Sequence, residues 1–117
     1  MTAPRVDGDE VELGDGHVWV RDGERFTGTA VDRFPDGSLL GETEYRDGVP
    51  DGLSRTYWRG GGLRIEDWHV YGVRVRSRHW YETGQLAEDT VTDERGAVVR
   101  LVRYDEDGTL VDWHPRV

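Results

Sequence analysis

Glycines recur at a regular interval along this chain of 117 residues. In one series they are 24, 23 and 24 residues apart, and a leucine follows each glycine by two positions. A second series falls between these glycines, with steps of 25, 24 and 24 residues. The first series is Gly37, Gly61, Gly84 and Gly108, and the second is Gly23, Gly48, Gly72 and Gly96. Periods of 20–50 residues are typical of repeat architectures, so we expect one supersecondary unit to recur along the chain.

The residues between the glycines indicate that the repeated unit is a β-hairpin. Asp-Gly dipeptides suit tight turns, and runs such as Val73–Arg78 alternate between apolar and polar residues as strands do. Only residues 85–95 carry a faint helical pattern. Short links favour antiparallel neighbours, so the predicted fold is an all-β antiparallel meander, open or partly curled, with repeats of 23–24 residues. The predicted strands are 10–13, 17–21, 25–33, 38–46, 53–59, 62–70, 73–81, 85–92, 97–104 and 109–114.

Length and composition indicate one folded domain over residues 1–117. Five Trp and five Tyr provide a core and argue against disorder, although charged residues make up 33% of the chain. We expect residues 1–9 to be flexible, the clearest repeats at 34–57 and 58–81, and weaker copies over 81–114. The chain has no cysteine, which excludes disulfides, thiolate metal sites and cysteine nucleophiles.

The net charge of -9 limits the classes of partner. It repels nucleic acid and anionic membranes and favours basic proteins. No apolar stretch approaches the ~20 residues of a membrane-spanning helix, and the N-terminus does not resemble a signal peptide. We therefore expect a cytoplasmic protein that binds neither nucleic acid nor membrane.

A hairpin with a two-residue turn at Tyr71–Gly72 predicts how its side chains divide between the faces. In that register an arginine row shares a face with Asp67, His69 and Trp80, while Trp68 and His79 lie on the other face; a one-residue slip would reverse this. The arginine row is Arg74, Arg76 and Arg78. It could clamp an anion, but we favour cross-strand pairing with acids such as Asp67.

Other candidate chemistry is weaker. The tryptophans Trp58, Trp68, Trp80 and Trp113, with Tyr81, could form a binding platform, although we weigh a core role above it. The acids Glu42, Glu44, Glu66 and Glu88 could supply a glycosidase pair, but pairing with arginines is the simpler interpretation. The four histidines lack zinc-type spacing. We therefore predict no metal and no cofactor.

Several of these residues resemble MORN repeats. The motif is clearest at Gly37-Ser38-Leu39 with Glu42 and Tyr45. It continues through Gly48, Gly52 and Tyr57, and recurs as Gly62-Leu63, Glu66, Trp68 and Gly72, ending at Trp80-Tyr81. Weaker copies start at Gly84-Gln85-Leu86 and Gly108-Thr109-Leu110, so the resemblance covers about residues 23–114. The bacterial variant of this family is described as the antitoxin component of toxin–antitoxin pairs, which implies a protein-binding function.

Three functions remain open at this point. The first is an antitoxin- or immunity-like module, monomeric or weakly oligomeric, that occludes a basic protein through one sheet face. The alternatives are a small enzyme or small-molecule binder with a site in a groove of a curled sheet, and a structural or oligomerisation scaffold. An enzyme is the less favoured of these. The predicted partner-binding residues are Trp58, Trp68, Trp80, His69, Arg74, Arg76 and Arg78.

Overall fold

The computed structural model describes residues 3–115, and this part of the chain folds into strands and two short 3₁₀ helices, with no α-helix. The helices span Gly8–Glu10 and Asp15–His17. The strands are β1 (Arg5–Asp7), β2 (Glu12–Leu13), β3 (Trp19–Arg21), β4 (Glu24–Arg25), β5 (Gly28–Arg33), β6 (Leu39–Arg46), β7 (Val49–Tyr57), β8 (Leu63–Val70), β9 (Val73–Trp80), β10 (Leu86–Thr92), β11 (Val98–Tyr104) and β12 (Leu110–Pro115). No helix of this described part is long and apolar enough to cross a bilayer.

Nine strands form one large sheet in the order β1-β5-β6-β7-β8-β9-β10-β11-β12. From β5 onward every pair is antiparallel, whereas β1 joins β5 in parallel. The sheet does not close on itself, and the molecule measures 47 × 38 × 26 Å. The predicted all-β meander is therefore confirmed, in its open form.

The glycines of the two series mark turns of this meander, except Gly23, which lies in the turn between β3 and β4 of a separate sheet. Turns of five residues at 34–38, 58–62, 81–85 and 105–109 share one pattern, in which the first amide bonds the fifth carbonyl and the glycine amide bonds the first carbonyl. The turns at the other ends of the strands are of two kinds. Asp47–Gly48 and Tyr71–Gly72 are two-residue turns in which both residues have positive φ, and residues 93–97 form a five-residue turn. One 24-residue period therefore contains two strands, one turn from the first glycine series and one turn from the second.

The strand predictions need three corrections. The predicted strand 25–33 is two strands, β4 and β5, that belong to different sheets. Strand β7 begins at Val49 rather than at 53, because Pro50-Asp51-Gly52 is accommodated in the strand beside a register shift, with Gly52 at φ 94°. Strand β1 lies within the segment 1–9, for which the sequence predicts no strand, and its Val6 is buried. Residues 1 and 2 of that segment lie outside the described residues.

The N-terminal part of the chain forms a small lobe on one face of the large sheet. Strands β2, β3 and β4 make a separate three-stranded sheet. Its apolar core contains Val11 and Phe26 from the lobe with Val6 and Ala30 from β1 and β5, and Trp19 and Tyr45 pack against it. Gly48 ties the lobe down, since its carbonyl accepts from the Trp19 amide and its own amide donates to the Phe26 carbonyl. Packing and backbone hydrogen bonds therefore hold the lobe against β5 and β6.

Strand β12 forms one edge of the large sheet and exposes apolar side chains. Leu110, Val111 and Trp113 are each more than half exposed. The Trp113 amide donates to the Asp112 carboxylate at 2.9 Å, and Pro115 has no amide hydrogen. Because free edge amides are what an added strand would bond, these two features protect the edge.

Candidate functional site

A ladder of alternating charges crosses one face of the large sheet. Each member lies directly opposite the next on consecutive strands from β6 to β10. We call this surface the ladder face. Its ladder residues are Glu42, Arg55, Glu66, Arg78 and Asp89. Because directly opposed residues on neighbouring strands point to the same side of a sheet, these five side chains share one face.

Hydrogen bonds join two of the four neighbouring pairs of the ladder, and further bonds extend it to residues beside it. Arg55 Nε donates to Glu66 Oε2 at 2.7 Å, and Arg78 Nε donates to Asp89 Oδ2 at 3.3 Å. Arg76 donates to both carboxylate oxygens of Asp89, from Nε to Oδ1 at 3.1 Å and from Nη2 to Oδ2 at 2.9 Å. Glu42 accepts from Arg5 at 2.8 Å and from the Tyr57 hydroxyl at 2.9 Å. Opposite charges directly across a ladder stabilise a sheet, so this face is ordered by its own contacts.

Trp68 lies under two of these arginines. The guanidinium carbon of Arg76 is 5.4 Å from the centroid of the Trp68 ring, and that of Arg78 is 5.7 Å away. Both are cation–π distances, and Asp89 fixes both guanidinium groups. The result is a half-buried indole framed by arginines on the middle strands of the ladder face.

Two other predicted tryptophans lie beside the five-residue turns. The Trp58 indole donates to the Trp80 carbonyl at 3.2 Å, and the Arg64 guanidinium lies 4.7 Å from the Trp58 ring. Trp80 continues the alternation of Arg76 and Arg78 along β9, which places it on the ladder face. Both side chains are half-buried, so these aromatics combine packing with exposed area.

The predicted register of the β8–β9 hairpin is wrong beyond its first two pairs. Val70 opposes Val73 and His69 opposes Arg74 as predicted, but Arg76 then opposes Trp68, which leaves Val75 as an extra residue on β9. A bulge of one residue exchanges the faces of everything beyond it. Arg76 and Arg78 therefore join Trp68, Arg74 stays on the other face with His69, and the predicted arginine row is divided.

The same bulge changes the prediction for the histidines. His79 now opposes Ile65, so it shares a face with His69 instead of lying opposite it. Ile65 and His69 are four positions apart on β8, so the backbones of His79 and His69 are offset by about 13 Å along the strands. Within residues 3–115, no group of three or more His, Cys, Asp or Glu side chains is placed to hold a metal ion.

The second face carries a row of small polar residues with Asp67 at its centre. Consecutive strands place Thr43, Ser54, Asp67, Ser77 and Thr90 opposite one another, and we call this line the hydroxyl row. Thr43 and Ser54 bond each other at 3.0 Å, and Ser77 Oγ lies 3.1 Å from His79 Nε2. The register of four strand pairs brings these residues together, and no local sequence motif encodes it.

The acids considered for glycosidase chemistry are mostly engaged by arginines. Glu42 and Glu66 take part in the ladder, and Glu88 accepts from Arg103 on the other face at 3.0 Å. A cleft of 360 Å³ lies beside Asp7, Asp9 and Asp32 at the start of the sheet. A smaller one of 160 Å³ lies between Arg5, Glu42 and Arg55. The smaller cleft is lined by the ladder residues Glu42 and Arg55 together with Glu44, and Trp68 lines neither cleft.

Three perturbed groups give the folded state a pH dependence. Burial alone would raise the pKa of Glu42 and of Asp89. Hydrogen bonds from Arg5 and Tyr57 outweigh burial at Glu42, and those from Arg76 and Arg78 outweigh it at Asp89, so both pKa values are lowered. Burial lowers the pKa of His69, and this effect exceeds the opposing influence of the nearby Asp67 carboxylate.

Stability is expected to fall in two steps as pH decreases. All three groups have folded pKa values below their unfolded values, so each contributes stability that is present at higher pH and lost on acidification. The contribution of His69 to stability is lost as the pH falls below 6.5, the ordinary pKa of histidine. The contributions of Glu42 and Asp89 are lost as the pH falls below their ordinary pKa values, 4.5 and 3.8. Melting temperature measured from pH 8 to 3 should show both steps. His69→Gln should remove the first step and Asp89→Asn should reduce the second. An unchanged profile in both variants would contradict this assignment.

Comparisons with known proteins give no further identification. No protein-family model matches the chain, no curated protein matches it, and no solved structure matches it. The MORN-like resemblance therefore stays a prediction from the motifs quoted above.

Proposed function

We propose that this protein is a protein-binding module that neutralises a basic protein partner by covering it with the ladder face, in the manner of an antitoxin or immunity protein. The observation that carries the proposal is the Trp68 indole framed by Arg76 and Arg78 on an open sheet face. Trp, Tyr and Arg are the residues that most often dominate binding energy at protein interfaces.

The ladder favours binding because it holds these side chains in place before the partner arrives. Asp89 fixes Arg76 and Arg78, and Glu42 fixes Tyr57. A side chain that is already ordered loses less conformational entropy on binding. From β5 to β11 the face spans roughly 30 Å by 23 Å, about 700 Å², close to the ~800 Å² per partner of a standard interface.

Charge favours a basic partner. The ladder itself is nearly balanced, so the excess of the net charge of -9 lies elsewhere. The segment 6–16, in β1 and the lobe, has no basic residue. Its acids are Asp7, Asp9, Glu10, Glu12 and Asp15. Such a field accelerates encounter with a basic protein and weakens with salt, while the aromatic and arginine contacts set the lifetime of the complex.

The test begins with the tagged protein as bait in lysate of the cells that produce it. A basic protein retained in stoichiometric amount is purified, and its affinity is measured by calorimetry. Trp68→Ala combined with Trp80→Ala should weaken binding by about 100-fold or more, as expected for two interface hot spots. Leu13→Ala is the control, because Leu13 is 54% exposed in the lobe, outside the ladder face. It should change affinity by less than about threefold.

Two results would contradict the proposal. If the double variant keeps its affinity while circular dichroism shows an intact fold, the ladder face is not the interface. If no basic protein is retained at low salt, the antitoxin-like function is wrong.

A further inference from the structure

Beyond β6 the large sheet is a single layer. The lobe packs against β1, β5 and β6, and residues 3–115 place no second layer on strands β7 to β12. Folded domains usually cover a sheet with a second layer, which lies about 10 Å away when it is another sheet. The ladder face of these strands is therefore open to a layer that comes from another chain.

The ladder continues beyond Asp89 and becomes apolar. Val102 on β11 lies directly opposite Asp89, and Trp113 on β12 lies directly opposite Val102. We call the ladder residues together with Val102 and Trp113 the ladder row. A cleft of 330 Å³ at this end is lined by Arg100, Val102, Tyr104, Leu110 and Trp113. Leu110 and Trp113 are more than half exposed, so covering the cleft removes apolar surface from water and is favourable.

A row of aromatic side chains runs beside the ladder row on the same face. On three alternate strands, a residue of the ladder row is followed two positions later by an aromatic residue, and the strand period of two places both on one face. The pairs are Arg55 with Tyr57 on β7, Arg78 with Trp80 on β9, and Val102 with Tyr104 on β11. We call Tyr57, Trp80 and Tyr104 the aromatic row, which lies about 7 Å from the ladder row.

This face is self-complementary about a two-fold axis that crosses the strands midway between the two rows. Rotation about that axis turns the face over and reverses the strands, so the ladder row of one copy covers the aromatic row of the other. Arg55 and Arg78, each about one-third exposed, then meet aromatic rings as cation–π partners.

The charges along β11 select this orientation of the two copies. The exposed Arg100 lies two residues before Val102, and the exposed Glu106 lies two residues after Tyr104. The rotation sets Arg100 of each copy against Glu106 of the other, with Val102 against Tyr104 between them. An axis along the strands would instead set Arg100 against Arg100, which is unfavourable.

The size of the face suits a dimer of moderate affinity. At about 700 Å² per copy, stacking buries roughly 1,400 Å², within the ~1,200–2,000 Å² of specific interfaces. The net charge of -9 on each copy opposes association over long distances. Salt at about 0.15 M screens this repulsion beyond about 8 Å, while pairs in contact persist. We therefore expect micromolar rather than nanomolar association.

We propose that a second copy of this chain covers the ladder face, in a two-fold dimer whose apolar part is the cleft at β11 and β12. The dimer does not rest on the function proposed above, because its test needs no other protein. If the ladder face also binds a basic protein, that protein must displace the second copy.

The test is analytical ultracentrifugation of the purified protein alone, over about 5 to 500 µM in about 0.15 M salt. The average mass should rise with concentration from one chain toward two and no further, because an interface with two-fold symmetry closes at two copies. Trp113→Ala should weaken the association by about tenfold or more. A mass of one chain at every concentration, or growth beyond two chains, would overturn the proposal.

Charge reversal tests the orientation with exposed residues. Arg100→Glu and Glu106→Arg should each weaken the dimer by about tenfold, because each sets like charges together at both ends. The double variant restores opposite charges and should regain the original affinity within about threefold. Arg25→Glu is the matched control, since it changes the net charge as Arg100→Glu does and lies exposed in the lobe.

The control and the double variant decide whether these effects are local. Arg25→Glu should change the association by less than about threefold. A double variant as weak as the single variants, or equal weakening by Arg25→Glu and Arg100→Glu, would show that the copies do not meet in this orientation. Circular dichroism confirms the fold of each variant.

Discussion

Replacing Gly48 with alanine is expected to destabilise the folded chain by about 2–5 kcal/mol, through a strained backbone and an overpacked site. Gly48 has φ of 84°, which residues with a Cβ adopt at a cost. An added Cβ would overlap the Val18 side chain and lie 2.8 Å from the Trp19 carbonyl oxygen, where nothing flexible can move aside. The change would also disturb the two backbone hydrogen bonds that tie the lobe to the sheet. Urea denaturation followed by tryptophan fluorescence measures the loss.

Gly23 provides a close control for this substitution. It follows Asp22 in a two-residue turn as Gly48 follows Asp47, and its φ is 80°. Nothing lies within 4 Å of a Cβ built there. Gly23→Ala should therefore cost only the backbone strain, about 1 kcal/mol. Similar losses at the two positions would show that contact with the lobe contributes nothing.

Replacing Phe26 with alanine is expected to reduce the free energy of unfolding by about 3–5 kcal/mol. Phe26 is 3% exposed, and its ring lies 5.8 Å from that of Tyr45, so truncation leaves a cavity between the lobe and the sheet. The midpoint of urea denaturation should fall accordingly.

The control for Phe26 is Leu13→Ala in the same lobe, where the leucine is 54% exposed. It should change stability by less than about 0.5 kcal/mol. A loss below about 1 kcal/mol for Phe26→Ala would contradict its place in the core.

The sequence predicts the repeating part of the fold well, because the turns are encoded locally. Gly37, Gly61, Gly84 and Gly108 all have positive φ and occupy equivalent turns. Strand β1 is harder to predict, since Arg5-Val6-Asp7 is too short to show an alternation. It pairs in parallel with β5 across an intervening lobe, which no local signal marks.

The candidate site is predicted in part. The sequence predicts Trp68, Arg76 and Arg78 as partner-binding residues, and the structure places the two arginines beside the Trp68 ring. The predicted register places Arg76 and Arg78 on the face opposite Trp68. The extra residue Val75 moves both arginines to the face of Trp68. The same bulge explains why these arginines bond Asp89 rather than Asp67. This bulge could not be predicted from the sequence, because it depends on the pairing of two strands and Arg74-Val75-Arg76 contains no glycine or proline.

The protected edge at β12 has a consequence for the size of the molecule. A sheet built from one recurring hairpin has no internal feature that fixes its number of strands, and each further unit of two strands would widen it by about 9.6 Å. The Trp113 amide held by Asp112, the missing hydrogen of Pro115 and the three-residue β1 provide the ends that the repeat itself lacks. Gene duplication or loss of one 24-residue unit would therefore change the span of the ladder face in fixed steps while both protected edges are kept.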